Sequence, residues 1–302
     1  MAAGFMRRPT KWLVVVNQAA GRFPTRVDRV RSACDAAGLE ADYVVPATKA
    51  EMATVISDAA RAGTTHFAVA GGDGTVNLAS NTLLNLDGLE APVIGVLPVG
   101  TSCDILRTFG MPQELGAAAR HLGTDDVYPI DVATLEGDWG TRYFVNVAQV
   151  GVGAAAAETA PRFTRRVGSI RYPAAFVIRL PGFPRARVRV ETERRTYESP
   201  ALAVIMANAQ FFAGGWNVAP KALLVDGLLD MQIIDIAKRR AAAFVPRVIR
   251  GTHLQDRAVR RFSAATFRIE TDVVWPLEAD GDYVGNTPVS GRVLAGRLQL
   301  KI

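Results

Sequence analysis

The sequence has only two cysteines, Cys34 and Cys103, and three histidines, His66, His121 and His253. The cysteines sit in unrelated contexts, which argues against a disulfide framework and for two reduced thiols in a cytoplasmic protein. The scattered histidines argue against a histidine metal centre. Long hydrophobic runs are missing too. The longest uncharged stretch, 199–220, carries Asn208, Gln210, Gly214, Gly215 and Asn217 in its second half. A spanning helix needs about 20 mostly apolar residues, so this stretch reads as a strand followed by a loop. The N-terminus carries Arg7 and Arg8 with no apolar segment of signal-peptide length before them, and reads as no leader. Internal repeats and low-complexity linkers are absent. So is a Walker loop, because no glycine-lysine-serine/threonine end occurs after a glycine-rich turn.

What is present is an ordinary globular composition, 49% hydrophobic and 21% charged over 302 residues, enough for two domains. The net charge of +6 comes almost wholly from arginine and favours anionic partners: a nucleotide, nucleic acid or an acidic membrane surface. From residue 12 to 97, short apolar runs alternate with helical periodicity. Strands are expected at 12–16, 41–45, 66–70 and 93–97. Helices are expected through Val27, Val30, Ala33, Cys34 and Ala37, through Met52, Val55, Ile56 and Ala59, and over 76–86. Gly38 ends the first helix. This βαβ alternation predicts a parallel sheet with helices on its faces. From about Val132 the texture changes to strands at 127–135, 141–147, 187–192, 202–207, 231–236, 265–271 and 297–302, with one helical stretch near 241–250. The expected architecture is α/β plus all-β. A nucleotide-binding domain at 9–131 precedes a mainly antiparallel β-sandwich at 132–290, and the segment 291–302 is free to return to the first domain.

Three segments carry candidate chemistry. Gly71, Gly72, Asp73, Gly74, Thr75, Val76 and Asn77 follow a strand and open a helix. Glycines let the backbone approach an anion, and the helix end adds N–H donors and its positive dipole. A tight strand-to-helix turn accounts for fewer glycines than these. The loop lacks lysine, so a metal or an arginine must neutralise phosphate charge, and Asp73 is a candidate to hold the metal. Gly100, Thr101 and Asp104 follow the next strand of the sheet, where the bland reading is a capped helix start. Asp131 falls at the domain boundary, where a structural carboxylate serves as well as a ligand. Asp73, Asp104 and Asp131 around one cleft would suit magnesium.

These residues resemble the bacterial diacylglycerol kinase and lipid kinase family, relatives of the sphingosine kinases and, more distantly, of the NAD kinases. The Gly-Gly-Asp-Gly-Thr-Val-Asn run at 71–77 is the family hallmark. The 97–104 segment is similar to a second motif, with Ser102 and Cys103 in place of its middle pair. Asn17 and Gly21 match a third, with Gln18 in place of its proline. The resemblance covers nearly the whole chain. It implies an NAD kinase-like first domain, ATP and Mg2+ as cofactors, and a lipid hydroxyl as acceptor. It implies a structural magnesium bound by Asp226 and the carbonyls of Leu223 and Leu228; read alone, Asp226-Gly227 is a hairpin turn. It assigns Asp282 as the base, where the family has glutamate, with Asp280 in support; read alone, this Asp-Gly is again a hairpin turn. Attachment to the inner face of the membrane would be peripheral.

A basic, aromatic-rich stretch contains Arg162, Phe163, Arg165, Arg166, Arg171, Tyr172, Phe176, Arg179, Phe183, Arg185, Arg187 and Arg189. A second cluster has Lys238, Arg239, Arg240, Arg247 and Arg250. Both read either as solvated surface or as an adhesion face for anionic lipid with aromatics in the interface. No nucleic-acid motif accompanies the charge. The oligomeric state is open, a homodimer included. Two other functions fit the same motifs: a kinase of a soluble alcohol, as NAD kinase is, and a non-catalytic nucleotide-binding regulator.

Overall fold

The structure is a computed structural model and describes residues 11–21, 26–89, 92–100, 103–124, 126–164 and 170–301. Arg7, Arg8, Thr101, Ser102, Arg165 and Arg166 lie outside the described residues.

Strands β1 (Trp12–Val16), β2 (Ala41–Val44), β3 (His66–Gly71) and β4 (Val93–Pro98) form a parallel sheet in the order β2-β1-β3-β4. Their side chains alternate between two buried faces, which is why the strands read as continuous apolar runs. Val15, Phe67, Val69 and Ile94 pack with Met52 and Ile56 of α2 (Lys49–Arg61) and with Val76 and Leu83 of α3 (Asp73–Leu84). Trp12, Val14, Val16 and Ala68 pack on the opposite side. Their partners are Val30 and Cys34 of α1 (Val27–Ala36) and Ala119 and Leu122 of α5 (Leu115–Leu122). Gly38, at φ 70°, closes α1 in the left-handed conformation that a side chain disfavours. A short α4 (Asp104–Thr108) follows β4. Both cysteines are buried and unpaired.

The remaining strands are β5 (Val127–Gly137), β6 (Gly140–Phe144), β7 (Val147–Gly151), β8 (Ala186–Thr192), β9 (Thr196–Ala201) and β10 (Ala203–Ala207). They continue with β11 (Leu229–Ile234), β12 (Val259–Ala264), β13 (Thr266–Thr271), β14 (Pro276–Ala279), β15 (Asp282–Asn286) and β16 (Val289–Lys301). Strand β16 joins the two halves. Its end, 299–301, runs parallel to β4, its start pairs antiparallel with β13, and β5 lies antiparallel along its other edge. A separate antiparallel sheet has the order β12-β11-β10-β7-β14-β15. The two sheets share one core, in which Val188, Phe267 and Ile269 of the first meet Met206, Met231 and Leu277 of the second.

Among the described residues, the α-helices that accompany these strands are α6 (Val152–Thr159), α7 (Arg171–Arg179) and α8 (Lys238–Ile249). The sequence pattern gave only α8. Helix α6 is alanine-rich and buried on every side, so it has no polar face to mark a helical period. The single strand expected at 141–147 is two strands, interrupted at Val145 and Asn146 where a carboxylate gathers their amides.

Candidate active site

The chain leaves β1 for β2 on one side and β3 lies on the other, so the carboxyl ends of β1 and β3 flank a topological switch point, the usual ligand crevice of such sheets. A cleft of about 550 Å3 opens there. Gly71 ends β3, and its carbonyl accepts N–H bonds from Val99 and Gly100, both at 3.1 Å. A Cβ on Gly100 would come within 2.8 Å of Gly72 Cα, so the two glycine loops touch backbone to backbone. Asn17, at the end of β1, donates from Nδ2 to Thr75 Oγ1 at 2.9 Å.

Within the loop the residues divide. Gly72, Asp73, Gly74 and Thr75 line the cleft. Gly71 packs against the Thr75 side chain, and Val76 points into the core. Asn77 donates from Nδ2 to Asp280 Oδ2 at 2.7 Å and accepts from Arg142 Nη2 at 2.7 Å. The amides of Thr75 and Val76 close onto Gly72 O, which starts α3 and leaves its first-turn N–H groups at the cleft.

Asp73 Oδ1 accepts from the amide of Asp104 at 2.6 Å, so it caps α4 and ties the loops together. Burial and the nearby Asp104 carboxylate push Asp73 well above the usual carboxylate range, and burial raises Asp104 as well. Two buried carboxylates disfavour ionisation until a cation arrives. Asp104 Oδ2 accepts from Gly214 N at 2.8 Å, and its buried Oδ1 makes no hydrogen bond but is ion-paired with Arg107 Nε at 3.5 Å; the buried Asn146 Oδ1 on the same cleft has no hydrogen-bond partner. Magnesium is commonly held by one or two carboxylates, waters and phosphate, and this oxygen set fits it. Among the described residues no group of three or more acidic, histidine or cysteine side chains is arranged for a metal.

Asp131 does not join Asp73 and Asp104. It is buried away from the cleft, its Oδ2 accepting from Gly227 N at 2.6 Å and its Oδ1 from Gly296 N at 2.9 Å. The three-carboxylate arrangement expected from the sequence is therefore corrected to two. One oxygen of Asp131 holds an irregularity of β16 at Gly296, and the other holds the turn containing Leu223, Asp226 and Leu228. On that turn Asp226 is exposed and its Oδ1 accepts from Leu228 N at 3.0 Å.

Asp280 and Gly281 form the two-residue turn between β14 and β15, with φ of 49° and 90°. This is hairpin geometry, and the hairpin lines the cleft. Besides Asn77, Asp280 accepts from the amides of Val145, Asn146 and Val147 at 2.8, 2.9 and 3.0 Å. Asp282 follows at the rim, 42% exposed, with Lys49 Nζ at 3.6 Å and Arg142 Nη2 at 3.5 Å.

Comparisons with known proteins identify the family. Residues 11–135 match the diacylglycerol kinase catalytic domain, and residues 146–302 match the YegS C-terminal NAD kinase beta sandwich-like domain. The chain belongs to the diacylglycerol kinase and YegS-type lipid kinase family. Lipid kinase YegS of Escherichia coli (strain K12) is 29% identical over 186 residues, a match that spans 61% of each chain. Diacylglycerol kinase of Bacillus subtilis (strain 168) is 26% identical over 282 residues, 91% of this chain and 90% of that one. A solved diacylglycerol kinase structure from Bacillus anthracis str. Sterne superposes with a TM-score of 0.73 at 20% identity, over 97% of this chain and 96% of that one. That likeness shows the fold.

In this member of the family the cleft also carries Lys49, Asn146 and Phe212, which the sequence reading missed, and Arg171 and Tyr172, which it placed in the basic, aromatic-rich stretch. Lys49 had a legible signal. Thr48 Oγ1 accepts from Glu51 N at 3.1 Å, the Thr-x-x-Glu start of α2 just beyond β2, which places Lys49 beside the crevice. It supplies a cation that the glycine loop lacks. Tyr172 and Phe212 also line a second, apolar cavity under α7 and α8, with Ile205, Trp216 and Phe244 among its walls.

Proposed function

We propose that the protein is an ATP- and Mg2+-dependent kinase that transfers the γ-phosphoryl group to the hydroxyl of diacylglycerol or a related lipid alcohol, giving phosphatidic acid or an analogue. The observation that carries the lipid half of this reading is the meeting of the two cavities at Tyr172 and Phe212. A polar end for phosphate adjoins an apolar end for a chain, which is the shape of an amphipathic acceptor.

The N–H groups of Gly72, Asp73 and Gly74 receive the phosphates, and Lys49 and Arg171 supply positive charge. Asp73, Asp104 and Asn146 would hold Mg2+, which neutralises charge on the transferring group when bound. Thr101 is proposed beside the nucleotide, and Leu223, Asp226 and Leu228 for a second, structural ion. Asp282 takes the hydroxyl proton as the acceptor oxygen bonds to the γ-phosphorus. The bond to the β–γ bridging oxygen breaks, and ADP leaves.

Among the described residues no helix is long and apolar enough to cross a membrane. Contact with an anionic bilayer through α7 is proposed instead, from the cytoplasmic side. Ile170, Val177 and Ile178 are exposed there, and Arg162, Arg171 and Arg179 belong to the same segment. Three aromatics of this stretch face inward. Tyr172 and Phe176 line the apolar cavity and Phe183 is in the core. Arg240 and Arg247 of the second basic cluster are engaged by Asp256.

Incubation with γ-labelled ATP, Mg2+ and a panel of lipid alcohols in mixed micelles tests the reading. Label in a phospholipid product supports it. Label in NAD and in no lipid would assign a soluble acceptor.

A further inference from the structure

A buried polar chain connects the apolar cavity to the turn that carries Asp282. Tyr172, on the cavity face of α7, accepts at its hydroxyl oxygen from Gln149 Nε2 at 3.0 Å and donates to Gly153 O at 3.3 Å. The same Gln149 Nε2 donates to Glu278 Oε1 at 2.8 Å. Glu278 Oε2 accepts from Gly281 N at 2.8 Å, in the turn beside Asp282. Glu278 is fully buried and Gln149 nearly so. The chain has little freedom to rearrange, because a Cβ on Gly153 would fall 1.9 Å from Gln149 Oε1.

At its other end the chain meets the cavity and the short helix α7. The apolar cavity holds about 60 Å3, roughly the volume of two waters and less than an acyl chain needs. Admitting a chain therefore displaces its roof. That roof includes α7, which is short, has exposed apolar residues on its outer face and carries Tyr172 on its inner face.

We propose that Tyr172, Gln149 and Glu278 are positioning residues that transmit occupancy of the apolar cavity to the Asp280–Asp282 turn, so that the base is set in place when a chain-bearing acceptor is bound. This rests on the lipid kinase reading above. It adds the residues that make turnover depend on the acceptor's chain, none of which touches a phosphate.

Two measurements on the full chain test it. Amide hydrogen exchange reads Gly281 directly, whether or not transfer occurs. Tyr172→Phe removes one hydroxyl, well away from the turn. It should speed exchange at 280–282 about 10-fold, and dioleoylglycerol micelles should slow exchange there in the unaltered protein but not in the variant. Steady-state kinetics with dioctanoylglycerol and dioleoylglycerol then read the consequence. Tyr172→Phe and Glu278→Leu should each lower kcat about 10-fold with KM for ATP unchanged, their double variant should lose no more than the worse single one, and Glu278→Gln, which re-forms the chain if the Gln149 amide turns over, should recover most of the rate. Unchanged exchange at 280–282 in Tyr172→Phe overturns the proposal, as do fully additive kcat losses. Absence of any lipid phosphorylation by the unaltered protein overturns the lipid kinase reading, and the exchange result still decides whether the chain positions the turn.

Discussion

Asp280 and Asp282 lie two positions apart in one hairpin and are built for different tasks. Asp280 is filled by four N–H donors and cannot readily move a proton; Asp282 is half-open to solvent between two cations. Replacing Asp280 with Ala strands those donors, at about 1–3 kcal/mol for each group left unsatisfied. Urea unfolding should show a loss above roughly 3 kcal/mol, and Asp280→Asn a smaller one, since Asn tolerates the left-handed backbone. Asp282→Asn should behave oppositely. Exposed ion pairs contribute about 0–1 kcal/mol, so the fold and nucleotide binding should hold while kcat falls about 100-fold or more. Asp282→Glu should retain activity. An unaltered kcat in Asp282→Asn would remove it as the base. Glu278 gives a pH signature. Burial pushes its carboxyl up to about 8, so the folded chain keeps a proton that the unfolded chain releases near 4.5. Its contribution is complete below about pH 4.5 and is lost as pH rises towards 8. The melting temperature should therefore fall over that range, and Glu278→Gln should flatten the profile.

At the scale of elements, the site depends on loops held at fixed contact distance. Gly100→Ala drives a methyl into the backbone of Gly72, which has no side chain to yield. Overpacking of this kind costs about 1–3 kcal/mol, and separation of the loops should weaken ATP binding in calorimetry about 10-fold. Near-wild-type binding would show that the loops need not touch. The loops were legible because glycine, a preceding apolar run and a following helical period coincide at 71–77. Helices α1 and α2 were legible because each has one buried stripe, whereas α3 is buried over most of its surface and was marked by the glycine loop that opens it. The buried Ala-rich α6 and the short α7 give no such contrast, and the cavity they help to cover left no mark in the sequence. Asp131 shows the limit from the other direction. Its position at the domain boundary suggested a ligand, but only the fold shows that Gly227 and Gly296 already occupy both oxygens.

At the scale of the molecule, one sheet carries the glycine loops and continues through β16 into the sandwich that carries Asp282 and the apolar cavity. The hairpin 276–286 reaches back to α3 through Asp280 and Asn77, so donor and acceptor sides of the cleft are linked by a side-chain contact as well as by the sheet. That arrangement makes the acceptor's two ends separately testable. The most direct measurement is transfer from γ-labelled ATP with Mg2+ to diacylglycerols of increasing chain length in mixed micelles, beside NAD and glycerol. The account predicts a labelled phosphatidic acid, with kcat/KM rising once a chain is long enough to enter the apolar cavity, and no label in NAD or glycerol. Equal rates on glycerol and on long-chain diacylglycerol, or label in NAD alone, would contradict it.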